Sequence, residues 1–409
     1  MQTSLYCIEI LTFDKYSLLN MRNKYLTKYS RILLSLSAFT LLFNSCEPLA
    51  TSFDDVEDAI MYSKSIKADP PVPDSTIRVM TWNIRFGIGR QPWFGDACGD
   101  NTVFKKEEVM PGLEAVVARI KEVKPDILFL QECDVKSNRT AYIDELQYIL
   151  DNTYFNYAAY VSEWKSEFIP SDGLGRMDMG LVILSPWPIT DAKRINLATR
   201  EDQAGIVNYF YLHSCIVSAR VKIPGFKEIP LLNIHASAFA TDDTKKKHFE
   251  EFKAEMDKLN AAGEYFIAGG DLNELPPGSD STDFCYEDMC SGESFHQPGD
   301  DPQHKPGSDY TAEIEWLRPI YEAYKCAFPL SDYEQNESAH FTHTTRPDQT
   351  WDRTLDYLFT NHRWRAGSAV THQEFFNESD HAPVSAEFVL IKEENIQKRK
   401  SEWETGISP

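Results

Sequence analysis

Residues Tyr265-Phe266-Ile267-Ala268-Gly269-Gly270-Asp271-Leu272-Asn273 decide how this chain is read: an apolar run, a glycine pair, then an acid and an amide one residue apart. A short apolar run that follows the helical pattern of Lys245–Ala261 reads as a buried strand. The glycines let the chain turn sharply where it ends. Asp271 and Asn273 then stand at the strand's tip. Taken alone, the same residues also fit a tight turn closed by an Asx hydrogen bond.

Working outward, the same arrangement recurs. Asn83 follows Val79–Trp82, Glu132 follows Ile127–Gln131, and His235 follows Leu231–Ile234. Asp356 sits inside the run Thr354–Phe359, and Asp380-His381 precedes Ala382–Val384. Each residue has a plain alternative: a turn, a solvated strand end, a core histidine or a backbone cap. Strands of one sheet end on a common rim, so residues distant in sequence can converge there. Carboxylate and amide oxygens are the ligands a hard divalent cation takes, and Asn83, Glu132, Asp271, Asn273 and Asp380 offer them.

Between these runs lie helical patterns, at Glu108–Val123 and Lys245–Ala261. Further strands are expected at 77–82, 126–130, 181–184, 210–221, 229–234, 355–359 and 384–391. The alternation predicts an α/β domain over residues 76–392, with helices outside two packed mixed sheets. Residues 47–75, ending in Asp69-Pro70-Pro71-Val72-Pro73-Asp74, read as a polar tether, and 393–409 as a charged tail. The stretch 278–314 carries nine acidic residues and one lysine, a long acidic excursion.

The N-terminus reads as an address. Basic residues Arg22, Lys24, Lys28 and Arg31 precede the apolar run Ile32–Phe43. Its 12 residues fall short of the roughly 20 a bilayer span needs, but they fit a secretory h-region. Asn44-Ser45-Cys46 follows, and residues 1–46 resemble a bacterial lipoprotein signal with Cys46 as the lipidated residue. An ordinary signal peptide is the alternative, and Met21 offers a second start. The expected location is the membrane of an exporting bacterium, on the periplasmic face or the cell surface. Removing residues 1–45 takes away five basic and two acidic side chains, moving the net charge from −22 to −25. Such a balance disfavours proteins that hold nucleic acid through clustered Lys and Arg. Among the cysteines only Cys285 and Cys290 are close enough to suggest a local bridge.

Trp82-Asn83, Gln131-Glu132, Asn233-x-His235, Gly270-Asp271-x-Asn273, Leu355-Asp356-Tyr357 and Ser379-Asp380-His381, in this order, resemble the endonuclease/exonuclease/phosphatase superfamily. Ser171–Arg176 and Phe341–Thr345 look most like its exported bacterial members. The resemblance covers roughly residues 76–392 and implies a four-layered α/β sandwich and metal-dependent phosphate-ester hydrolysis. It implies Glu132 as the principal ligand of Mg²⁺ or Mn²⁺, with Asn83 and Asp380 beside it. Asp271 would activate the attacking water, and Asn273, with Asn83, would hold phosphoryl oxygens. His381, paired with Asp356, and His235 would stabilise the transition state. Where abasic-site nucleases of the family place a carboxylate two residues after the asparagine, this chain has Arg85, expected as a strand residue turned to solvent.

Arg139 and Arg176 are candidate phosphate contacts, with Lys165, Arg346 and Arg353 behind them. No basic run with interleaved aromatics marks a strand-tracking groove. The expected substrate is a small-molecule or lipid head-group phosphodiester or monoester. A scavenging nuclease and a non-catalytic binding lipoprotein are the alternatives. No protein partner is evident.

Overall fold

The computed structural model describes residues 49–96, 99–289 and 307–393. The signal segment with Cys46, Cys290 of the suggested bridge and the tail from 394 lie outside the described residues. All elements below belong to the unit beginning at Ala50. The strands are β1 (Val56–Asp58), β2 (Ile60–Ser63), β3 (Thr76–Asn83), β4 (Ile127–Asp134), β5 (Tyr157–Ile169), β6 (Gly175–Ser185) and β7 (Ile189–Asn196). Then come β8 (Cys215–Val221), β9 (Ile229–His235), β10 (Ile267–Asp271), β11 (Lys325–Cys326), β12 (Asp356–Thr360), β13 (Val370–Thr371) and β14 (Val384–Val389). Helices are α1 (Lys106–Val123), α2 (Glu145–Asn152), α3 (Gly205–Phe210), α4 (Thr244–Ala261), α5 (Arg318–Ala323) and α6 (Leu330–Tyr333).

Alternation along β3 shows why the layers form. Ile77 and Val79 face the second sheet, while Met80 and Trp82 face α1 and α2. On α1 the stripe Val109, Leu113, Val116, Ile120 and Val123 is buried at helical spacing. On the far side, Phe249, Phe252 and Met256 of α4 join the core that holds β8–β10. The result is helix, sheet, sheet, helix, the expected α/β sandwich. One sheet runs β13-β14-β3-β4-β6-β5-β2 and the other β1-β7-β8-β9-β10-β12-β11.

The register builds the rim. Parallel pairs β3/β4 and β9/β10 end together, setting Asn83 beside Gln131 and His235 beside Asp271. Antiparallel β12 begins at the same edge, so Asp356 is the direct partner of Asp271. The glycine pair serves close approach within β10 rather than a sharp turn. A Cβ on Gly270, whose φ is +138°, would lie 1.9 Å from the Ile234 carbonyl oxygen, and one on Gly269 would lie 2.3 Å from that of Tyr357.

Three expectations need correction. The tether is not wholly a tether: β1 pairs with β7 at one sheet's edge and β2 with β5 at the other's, so residues 56–63 cross from sheet to sheet. Edge strands need backbone partners more than apolar side chains, so hydrophobic alternation does not announce them. The strand expected from Phe210 begins at Cys215, and Phe210 ends α3 instead. The described flanks of the acidic stretch are packed: Phe284 and Tyr310 form a small core with Leu275 and Leu355. Asp288 there accepts a 2.7 Å bond from Arg353. No helix among the described residues is long and apolar enough to cross a membrane.

Candidate active site

Asn83 is the last inward-facing position of β3 and joins the two sheets. Its Nδ2 donates to Glu132 Oε1 at 3.2 Å and to Asp271 Oδ2 at 3.0 Å. Its Oδ1 accepts the Arg85 N–H at 3.0 Å. Asn83 thus braces two carboxylates, and its Oδ1 keeps one lone pair beyond the Arg85 N–H.

Strict alternation along β4 would turn Glu132 toward the helices, since Leu128 and Leu130 face that way. A bulge between Leu130 and Cys133 changes this, and Glu132 sits in the left-handed region at φ +55°. A buried amide network supports the bulge. Asn233 of β9 donates to the carbonyls of Leu130 and Val182 in the opposite sheet, both at 3.0 Å, and accepts from Gln131 Nε2 at 2.7 Å.

Asp271 lies between two histidines. His235 Nε2 and His381 Nε2 are each 3.6 Å from its Oδ2. Each histidine has its own buried carboxylate behind it. His381 Nδ1 is 2.8 Å from Asp356 Oδ2, a hydrogen bond that orients the ring. His235 Nδ1 is 3.5 Å from Glu163 Oε2, an ion pair looser than a hydrogen bond. Glu163, inward-facing on β5, was not among the residues expected from the sequence. Its signal was there: an acid in phase with the core residues Ala159 and Val161.

Electrostatics follow from burial and these pairings. Burial would lower the His235 imidazole, but Glu163, Asp271 and Glu132 outweigh it and hold the group at about 10. His381 likewise is held at about 10, burial being overcome by Asp356 and Asp271. Burial pushes the Asp356 carboxyl up, and His381 opposes it. Both imidazoles face Asp271, and their carboxylate neighbours favour the charged form.

Asn273 adopts φ +50°, which asparagine tolerates, and its Nδ2 donates to the Ala236 carbonyl at 2.9 Å. Its N–H donates to Asp271 Oδ1 at 2.9 Å, so the Asx bond foreseen as an alternative coexists with the site.

Arg85 is not turned to solvent. It is buried, its Nε 3.3 Å from Asp380 Oδ2, and it also pairs with Asp96. Burial opposes ionisation of Asp380, but Arg85 and then His381 hold its carboxyl below the usual range. The phosphate-contact expectation for Arg139 is also corrected: it is buried, forms two hydrogen bonds to Asp134 at 2.8 and 2.9 Å, and stacks on Phe86. Arg176 donates to the carbonyls of Val135 and Lys136 and to Asp178. Arg353 is buried against Asp288 and Asp352, and Arg346 is held by Asp348.

The donor set fits a divalent cation. Burial raises the Glu132 carboxyl; His235 opposes this, and Asp380 adds a smaller repulsion. Buried carboxylates that repel each other are what a cation would relieve. Asp271, Asp356 and His381 also bring ligand atoms within 4.8 Å of one another, as do His343, Asp380 and His381. His343, whose ring lies 4.5 Å from that of His381, is a second residue missed in the sequence.

A family profile described as "Endonuclease/Exonuclease/phosphatase family" matches residues 80–381. The chain is similar to an endonuclease/exonuclease/phosphatase from Beutenbergia cavernae at 17% identity and a TM-score of 0.51, covering 78% of this chain and 72% of that one. It is also similar to a family protein from Bacteroides thetaiotaomicron, at 13% identity and a TM-score of 0.46, covering 78% and 100%. The human Nocturnin catalytic domain with bound sulfate aligns at 15% identity and a TM-score of 0.45, covering 77% and 94%. No curated protein matches the chain.

Proposed function

The chain belongs to the endonuclease/exonuclease/phosphatase family and is a metal-dependent phosphoesterase, and from that premise we infer that it hydrolyses a small-molecule or lipid head-group phosphate ester. The observation that carries this reading is the fate of its arginines. Arg85, Arg139, Arg176, Arg346 and Arg353 are all drawn into carboxylates of the chain's own fold. A nucleic-acid backbone is held by cations that remain available to phosphates, and a net charge of −22 adds repulsion.

Glu132 and Asp380 would hold Mg²⁺ or Mn²⁺. The bound ion would neutralise charge on the phosphoryl group and favour deprotonation of a water. Asp271, held by Asn83 and the Asn273 N–H, would orient that water and take its proton. His235 and His381 donate to the phosphoryl oxygens and to the leaving oxygen, their rings fixed by Glu163 and Asp356. Asn273 completes the phosphate contacts.

The test is hydrolysis with Mg²⁺ or with EDTA on plasmid DNA, sphingomyelin, and inositol or sugar phosphates. Mg²⁺-dependent turnover of a non-nucleic ester, lost in Asp271→Ala with folding intact, is the expected result. Preference for DNA, weakening steeply with salt, would overturn the substrate reading.

A further inference from the structure

The six residues of α3, Gly205-Ile206-Val207-Asn208-Tyr209-Phe210, include none that is buried. Ile206 is 69% exposed, Val207 45% and Tyr209 41%. From Gln203 to Leu212 there is no charged residue. A one-turn apolar element without charge is a poor surface for water and a good one for a bilayer interface, where tyrosine is favoured.

Its position says which surface covers it. The Ala50 N–H donates to Tyr209 Oη at 3.3 Å, and Ala50 bridges Ser166 of β5, two residues before the exposed Phe168. The chain therefore enters the domain against α3. Ala50 is four steps along the chain from Cys46, a span of at most about 14 Å. Any lipid on Cys46 would keep α3 within that reach of the membrane.

Packing links α3 to the site. Trp164 Nε1 donates to the Phe210 carbonyl at 2.6 Å, and the His213 N–H donates to the Glu163 carbonyl at 2.7 Å. Glu163 is the carboxylate behind His235.

We propose that α3 is a membrane-docking element that seats Ile206 and Val207 in the bilayer carrying the Cys46 anchor and so holds the His235 side of the site beside lipid head groups. This rests on the readings of Cys46 as lipidated and of the substrate as a lipid phosphoester. The occupant is a zwitterionic bilayer, because the acidic chain is repelled by an anionic one.

The test uses the lipidated chain, extracted from membranes and reconstituted in phosphatidylcholine vesicles. An environment-sensitive fluorophore is placed at Ile206→Cys or, as control, at Lys258→Cys near the end of α4; the unsubstituted chain, labelled in parallel, gives the background. The label at 206 is expected to shift to the blue and be quenched by a nitroxide in the lipid phase, while the label at 258 is not. Labels that behave alike, both as in water, would overturn docking. So would a blue shift that persists without lipid and grows with protein concentration, which would assign the face to a second copy of the chain.

A second arm joins Ile206→Asp with Val207→Asp. Turnover of vesicle phospholipid should fall about tenfold while a water-soluble aryl phosphodiester is hydrolysed as before. Equal loss on both esters would overturn the proposal. If the 206 label enters lipid but the parent hydrolyses no vesicle lipid, docking stands and the substrate reading fails; vesicle-lipid turnover with the label in water has the opposite meaning.

Discussion

The two flanks of Asp271 hold the same chemistry at different tightness. On one side Asp356 of β12 grips His381, in the segment that leads into β14 of the other sheet, at 2.8 Å; on the other side Glu163 of β5 and His235 of β9 stand 3.5 Å apart. Both carboxylate oxygens of Glu163 are buried without a hydrogen-bond partner among the described residues. The His381 flank is thus an oriented pair, with tautomer and ring plane fixed. The His235 flank is an ion pair whose geometry has room to tighten when a substrate arrives. Two sites of equal composition can therefore differ in how much of their orientation is built in before binding.

The largest expected effect separates the flanks. Asp356→Asn should lower kcat by about 10²–10⁴, because the amide cannot hold the imidazolium or fix its tautomer. Glu163→Gln should cost about tenfold, as a looser electrostatic partner. Steady-state rates for the two variants decide the matter, and equal losses would break the comparison.

Next in size is the clamp beneath both flanks. Asn233→Ala removes two donors to backbone carbonyls in the opposite sheet and an acceptor for Gln131. It should lower stability by about 2–4 kcal/mol, read as a shift in the urea midpoint at unchanged slope. A shift below about 0.5 kcal/mol would show that the sheets hold their spacing without it.

The smallest effect lies beneath the loop after Asp271. Burial, opposed by Lys245 and reinforced by Glu313, pushes the Glu274 carboxyl up to about 8. The folded chain then binds a proton there that the unfolded chain has lost above its ordinary value. The stability this contributes is present in acid and fades as pH rises toward about 8. Glu274→Gln should flatten the pH dependence of the thermal midpoint over that window, and an unchanged slope would remove the group from it.

Much of the site could be read in the sequence because its residues terminate strands. Asn83, Glu132, His235, Asp271 and Asp380-His381 each follow or precede an apolar run, and a shared rim brings run ends together. Glu163 escaped because it lies in mid-strand, where composition announces core. His343 lies in a loop whose path no local pattern sets. The arginines misled for the opposite reason. In sequence Arg139, Arg176 and Arg353 look like loop cations, and only the fold shows the carboxylates that consume them.

Local periodicity determined the elements, their faces and hence the layered α/β architecture, because burial of one face is a property of a few neighbouring residues. The order of polar residues at strand ends carried the family's chemistry for the same reason. Tertiary structure alone decided the rest: the bulge that turns Glu132 into the rim, the pairing of each histidine with a carboxylate from a distant strand, and the crossing of residues 56–63 between sheet edges. These depend on distances between segments far apart in the chain, which no local pattern encodes.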